Sequence, residues 1–176
     1  MTPSASRDAA LPTTDEKAAV VEEMFDRIAP RYDLVNRVMT GGQDEHWRRS
    51  TVAALDLPAG SLVLDIACGT GDLCRALDNH HHRPVGIDFS TGMLNVARTS
   101  APLVRADALA LPVSTGAVDG VVCGFGLRNF ADVRTFFDEA HRALRVGGRA
   151  WSWRQPCRRM PRCAPATPST SAASCR

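Results

Sequence analysis

Val63-Leu-Asp-Ile-Ala-Cys-Gly-Thr-Gly-Asp-Leu73 decides the fold. The apolar run Ser61-Leu-Val-Leu-Asp-Ile-Ala67 has strand character, and a helix is expected from Asp72 to Leu77. Between them lies the loop Cys68-Gly69-Thr70-Gly71. In doubly wound sheets, ligands bind where a strand ends and a helix begins. Glycines there let backbone approach a ligand that a Cβ would exclude. A Gly-x-Gly by itself also describes a plain tight turn, so its neighbours must decide.

Downstream, Pro84-Val-Gly-Ile-Asp-Phe89 reads as a second strand, followed by a helix capped by Ser90 that carries Met93, Leu94 and Ala97. Leu103-Val-Arg-Ala106 and Val118-Asp-Gly-Val-Val-Cys123 read as third and fourth strands. Residues 132–144 form an amphipathic helix with Val133, Phe136, Phe137, Ala140 and Leu144 inward, which Gly147-Gly148 is expected to end. Strands alternating with helices predict an α/β domain with a parallel sheet covered on both faces.

Upstream the pattern is helical. From Ala18, Val20, Val21, Met24, Phe25 and Ile28 share one face, and Pro30 interrupts the helix. Leu34, Val35, Val38 and Met39 fit a second short helix that ends at Gly41-Gly42. Asp44 is placed to cap a third helix, running through Leu55. Residues 1–14 are Ser/Thr/Pro/Ala-rich and expected to be disordered, 15–57 a helical lid, and 58–150 the ligand-binding core.

The spacing around the loop describes a ligand. Asp88, at the end of the second strand, suits two ribose hydroxyls, and Asp88→Ala is expected to abolish ligand binding with little effect on stability. A nicotinamide-binding loop wants a third glycine at position 74, where this chain has Cys74. Asp65, inside the first strand, needs a partner if buried, and the ammonium of an amino-acid moiety is one. Asp107 and Ala108 follow the third strand and suit an adenine. Amino acid, ribose and adenine together describe S-adenosylmethionine.

With these residues in view, Val63–Leu73 resembles the first motif of class I S-adenosylmethionine methyltransferases. Phe25-Asp-Arg-Ile-Ala-Pro-Arg-Tyr-Asp-Leu-Val-Asn-Arg-Val-Met39, followed by His46-Trp47-Arg48, is similar to the N-terminal signature of the ubiquinone/menaquinone biosynthesis C-methyltransferases. Phe125-Gly-Leu-Arg-Asn-Phe130, leading into Asp138-Glu-Ala-His-Arg-Ala-Leu144, resembles their second signature. The resemblance implies a Rossmann-like sheet and S-adenosylmethionine as cofactor. Its cofactor contacts carry over to Thr70, Asp88, Asp107 and Ala108, beside Asp65, Gly69 and Gly71 of the loop. It implies methylation of a ring carbon of a prenylated quinol, such as demethylmenaquinol. The alternatives are a class I methyltransferase of another small molecule, or an inactive remnant that at most binds the cofactor. The family usually has Ser before the Phe-Gly-Leu-Arg-Asn stretch, and this chain has Gly124.

Arg128 and Asn129 are the candidate catalytic residues: Arg128 to stabilise a phenolate, Asn129 to orient a ring oxygen. A surface salt bridge is the competing role for Arg128. Tyr32, Asp33 and Asn36 sit on the segment expected to cap the pocket, where helix capping and lid packing compete with substrate contact. His46 can be a base or a hydrogen-bonded, partly buried side chain. His80-His81-His82 reads as an exposed loop rather than a metal site, and no metal is expected.

A net charge of +2 argues against a nucleic-acid partner, but it hides an asymmetry. Residues 151–176 hold five Arg, four Pro, three Cys and no acid, and fit neither the helix nor the strand period. The family pattern stops at Gly148-Arg149-Ala150, where relatives continue with a fifth strand, more helix and a closing hairpin. That composition fits an out-of-frame reading of a GC-rich message and a disordered tail, so the C-terminal strands are expected to be missing or replaced. If residues 149–153 pair only weakly, Val118–Cys123 becomes an apolar sheet edge. All six cysteines, lacking zinc or CxxC spacing, are expected to be reduced thiols. With no secretory signal and no apolar span, the expectation is a cytoplasmic protein, in peripheral contact with a membrane if its substrate is there.

Overall fold

The computed structural model describes residues 14–32, 40 and 43–152. The expectations for residues 1–13, 33–39 and 41–42, including Asp33 and Asn36, and for the tail from 153 with its three cysteines, lie outside the described residues.

Five parallel strands build one sheet: β1 (Leu62–Ile66), β2 (Arg83–Asp88), β3 (Leu103–Arg105), β4 (Val118–Cys123) and β5 (Leu144–Ser152), in the order β3-β2-β1-β4-β5. β1 is central because its run is apolar on both faces: Val63, Leu64 and Ile66 are all buried. Val63, Leu73, Leu77 and Val122 pack with Val52 and Leu55 on one side of the sheet. Leu64, Ile66, Ile87 and Val121 pack with Phe136 and Ala140 on the other. Burying each such side chain contributes roughly 1.5–3 kcal/mol. The helices are α1 (Thr14–Ile28), α2 (Gln43–Leu55), α3 (Asp72–Asn79), α4 (Thr91–Val96) and α5 (Val133–Ala143). Single 3₁₀ turns span Ala29–Arg31, with Pro30 at its second position, and Gly126–Asn129. Ser90 caps α4 by accepting from the Met93 N–H at 3.0 Å, and Asp132 caps α5 through the amides of Arg134 and Thr135.

Several expectations are corrected. β5 exists and pairs with β4 from Val118↔Leu144 to Cys123↔Ser152, so Val118–Cys123 is an interior strand, not an edge. The chain needs no aliphatic run for this: Trp151 packs on the Val52–Leu55 cluster, so pairing continues two residues past Ala150, where the sequence pattern breaks. α5 ends at Ala143, and Gly147-Gly148 lie inside β5, near a register shift opposite Val118–Gly120, rather than stopping a helix. Asp44 is in the first turn of α2 instead of capping it, because its carboxylate is taken by Arg48 at 2.5 Å and Thr40 at 3.3 Å. On α1, which begins at Thr14, Val20 and Met24 are exposed while Val21 and Phe25 turn inward. His80 and His81 are exposed, but His82 is buried where the chain enters β2, its N–H bonded to the Leu77 carbonyl at 3.1 Å. Burial holds the His82 imidazole below its usual range.

Candidate active site

Strand order reverses at β1: one connection leads out to β2, and the later one returns to β4 on the other side. The loops leaving β1 and β4 therefore diverge, and the crevice between them is the binding position of such sheets. A cavity opens there, lined by residues following β1, β2, β3 and β4 and roofed by α1 and α2.

The glycine loop adopts positive φ at Gly69 (55°) and Gly71 (80°), which turns the chain sharply from β1 into α3. Two backbone groups bind it to β2: Cys68 N–H donates to the Ile87 carbonyl at 3.0 Å, and Gly69 N–H to Asp88 Oδ2 at 2.7 Å. The other Asp88 oxygen accepts from Ser90 N–H at 2.9 Å. Burial raises the Asp88 pKa from its ordinary value, and the amide donors oppose that rise without cancelling it. Asp88 is therefore already engaged as a structural acceptor while it faces the cavity.

Asp65 lies deeper, 1% exposed, and still reaches the cavity lining. Its protein partner is the Cys74 thiol, Sγ to Oδ2 3.2 Å. Cysteine thus occupies the position of the third glycine in dinucleotide-binding loops, where it serves as a donor. Burial pushes the Asp65 carboxyl up to about 7. An incoming cation would reverse that effect.

Gly69, Thr70, Asp107, Ala108, Arg128 and Asn129 all line the same cavity. Thr70 and Ala108 are buried and Asp107 is at the rim, where Oδ1 accepts from Leu109 N–H at 2.8 Å. Arg128 is exposed at the cavity and makes no ion pair with another described residue. Gly71 does not line the cavity; a Cβ there would meet Thr99 Cγ2 at 2.7 Å, so its role is to shape the turn. His46 lies on α2, outside the lining. Tyr32 lines the cavity, its ring centre 6.1 Å from that of Phe25.

The site also contains residues to which sequence reasoning assigns no role. Trp47 and Phe125 lie 5.8 Å apart between ring centres and form an aromatic wall of the cavity, which Phe130 also lines. Arg48 bridges Asp44 on α2 and Asp72 on α3, the latter at 2.8 Å, and so fixes the roof to the glycine-loop helix. Their one signal is their place inside the two signatures, since neither periodicity nor charge marks them. No cluster of metal-ligating side chains occurs among the described residues.

Asp65, Asp88 and Asp107 follow one another along the cavity at the ends of neighbouring strands. A ligand with an ammonium, a pair of ribose hydroxyls and an adenine matches that donor and acceptor order, so the residues present fit S-adenosylmethionine. Comparison with known proteins agrees. The description "ubiE/COQ5 methyltransferase family" matches residues 13–154. The chain belongs to this family. The demethylmenaquinone methyltransferase of Thermobifida fusca is 43% identical over 143 residues, covering 77% of this chain and 61% of that one. The enzyme of the same name from Thermus thermophilus is 44% identical over 135 residues, covering 72% and 61%. The chain thus spans about three fifths of the length of these ubiE/COQ5 relatives. A SAM-dependent methyltransferase structure from Thermotoga maritima superposes with TM-score 0.60 at 23% identity, covering 74% of this chain and 59% of that one, which shows that the two share the same Rossmann-like α/β fold.

Proposed function

We propose that this ubiE/COQ5 family member transfers a methyl group from S-adenosylmethionine to a ring carbon of a prenylated quinol of the demethylmenaquinol type. The observation that carries the reading is one cavity in which three strand-end carboxylates meet an aromatic wall. The relatives named above act, by their names, on demethylmenaquinone.

Bound S-adenosylmethionine supplies an electrophilic methyl on a sulfonium. The chain's own task is to bind, orient and polarise. Asp65 and Asp88 would hold the ammonium and the ribose hydroxyls of the bound cofactor, beside the aromatic wall. Trp47 and Phe125 offer flat apolar surface to a quinol ring. Such positioning supplies several kcal/mol of the barrier. Arg128 would set a guanidinium beside the phenolate formed when the ring hydroxyl gives its proton to water, and Asn129 would orient a ring oxygen. A prenyl tail keeps the substrate in a bilayer, so the chain meets it at the membrane surface. No described helix is long and apolar enough to cross a membrane.

The test is methyl transfer to demethylmenaquinol by the chain and by Arg128→Ala. Arg128→Ala lowers turnover by ~10²-fold or more and leaves S-adenosylhomocysteine affinity unchanged. Equal turnover in both would remove Arg128 from the site. Saturable cofactor binding with no transfer by the parent would favour a cofactor-binding remnant.

A further inference from the structure

α1 lies across the cavity and contributes Val21, Glu22 and Phe25 to its lining, but not Asp26. Asp26 instead fastens the helix. Its Oδ1 accepts from the Ser90 hydroxyl and from Gly92 N–H at 2.9 Å. Ser90 is the same residue whose N–H donates to Asp88 Oδ1 at 2.9 Å, so Asp26 and the carboxylate of the cofactor site hold one serine from two sides. One helical turn away Glu22 pairs with Arg105 at 2.7 Å, and Arg105 donates to the Phe89 carbonyl at 3.1 Å. Gly92 makes the closeness possible: a Cβ there would stand 2.8 Å from the Asp26 Cα, against backbone that cannot yield. An acceptor on α1, a hydroxyl at the β2–α4 turn and a missing side chain on α4 thus meet at one contact.

We propose that Asp26 is a positioning residue of the cofactor site. By clamping α1 onto Ser90 and Gly92, it fixes the turn that carries Asp88 and keeps the roof over a bound ligand, so it governs how fast the ligand leaves. This rests on the reading of the cavity as a site for S-adenosylmethionine. Asp26 acts through Ser90, whose other bonds leave it little freedom: its hydroxyl also accepts from Met93 N–H at 3.0 Å. When the clamp is released, the Asp88–Ser90 turn gains freedom and α1 can swing from the opening. Ligand escape speeds up, while entry is not slowed.

The experiment uses the full chain with S-adenosylhomocysteine as probe, and stopped-flow measurement of association and dissociation. Asp26→Asn removes the charge and Gly92→Ala forces the helices apart without touching it. Each is expected to raise the dissociation rate roughly 10-fold, the loss of one charge-assisted hydrogen bond. The double variant should add little to either, because both open the same contact. A merely structural role would lower the fraction of chains that bind, with the parental dissociation rate in those that do. That outcome, or an unchanged rate in both Asp26→Asn and Gly92→Ala, would overturn the proposal. A parent chain that does not bind the probe would instead overturn the cofactor reading, and this proposal with it.

Discussion

Gly69 donates its backbone N–H to Asp88 Oδ2 at 2.7 Å, tying the glycine loop after β1 to the end of β2. With the second oxygen taken by Ser90 N–H, Asp88 holds the walls of the cavity together before any ligand arrives. The carboxylate has capacity for both tasks, since each oxygen accepts more than one hydrogen bond.

This changes what Asp88→Ala does. The substitution leaves two amides without their partner, each at about 1–3 kcal/mol when water cannot replace it. Thermal unfolding should therefore fall measurably below the parent, and calorimetric binding of S-adenosylmethionine should vanish. Asp88→Asn keeps an acceptor oxygen for one of the two amides and sets an NH2 against the other, so it should recover only part of the stability and little of the binding. Parental stability in Asp88→Ala would mean that the two amide bonds contribute nothing, contrary to their short geometry.

Asp65 makes binding depend on pH. Its carboxyl stands at about 7 in the folded chain against an ordinary 3.8, because burial disfavours the charge. The unfolded chain ionises first, so Asp65 leaves stability untouched below about pH 4 and lowers it as pH rises toward about 7, by roughly 4 kcal/mol in full. A ligand ammonium beside it pulls the pKa back down. Cofactor binding near neutral pH therefore releases a proton, and affinity falls as pH drops below about 7. Calorimetry in two buffers of different ionisation enthalpy reads that proton; Asp65→Asn should abolish the difference between buffers. No proton release by the parent would place the ammonium elsewhere.

Two cavity glycines should respond oppositely to substitution. Nothing lies within 4 Å of a Cβ built on Gly124, whereas one on Gly126 would stand 2.4 Å from the Ala67 Cβ. Gly124→Ser should leave stability within about 0.5 kcal/mol of the parent and put a hydroxyl on the cavity wall. Gly126→Ala should cost about 1–3 kcal/mol by overpacking. Chemical unfolding of the two variants side by side checks this, and equal stability in both would contradict the tight packing of that turn against Ala67.

Strands β1 to β4 were legible because each carries an apolar run at a length and spacing that fit a parallel sheet covered on both faces. Asp65, Asp88 and Asp107 were legible for the same reason: strand ends locate them. β5 was not, since Arg145, Gly147, Gly148 and Arg149 look like a broken pattern. Its outward positions need no apolar side chains, and the inward ones are supplied by Ala150 and Trp151. The Asp26 clamp was also invisible, because its partner Ser90 is 64 positions away and reads locally as a helix cap. Gly71 escapes sequence reasoning because a loop glycine near a ligand and a loop glycine packed on Thr99 have the same local sequence.

The most direct test is calorimetric titration of the 176-residue chain with S-adenosylmethionine, alongside Asp88→Asn. A cavity built as described gives saturable binding of one ligand per chain, weakened at least ~10-fold in Asp88→Asn by the loss of charge-assisted bonds to the ribose. Absence of binding by the parent, or the same affinity in the variant, would contradict the placement of the cofactor along Asp65, Asp88 and Asp107.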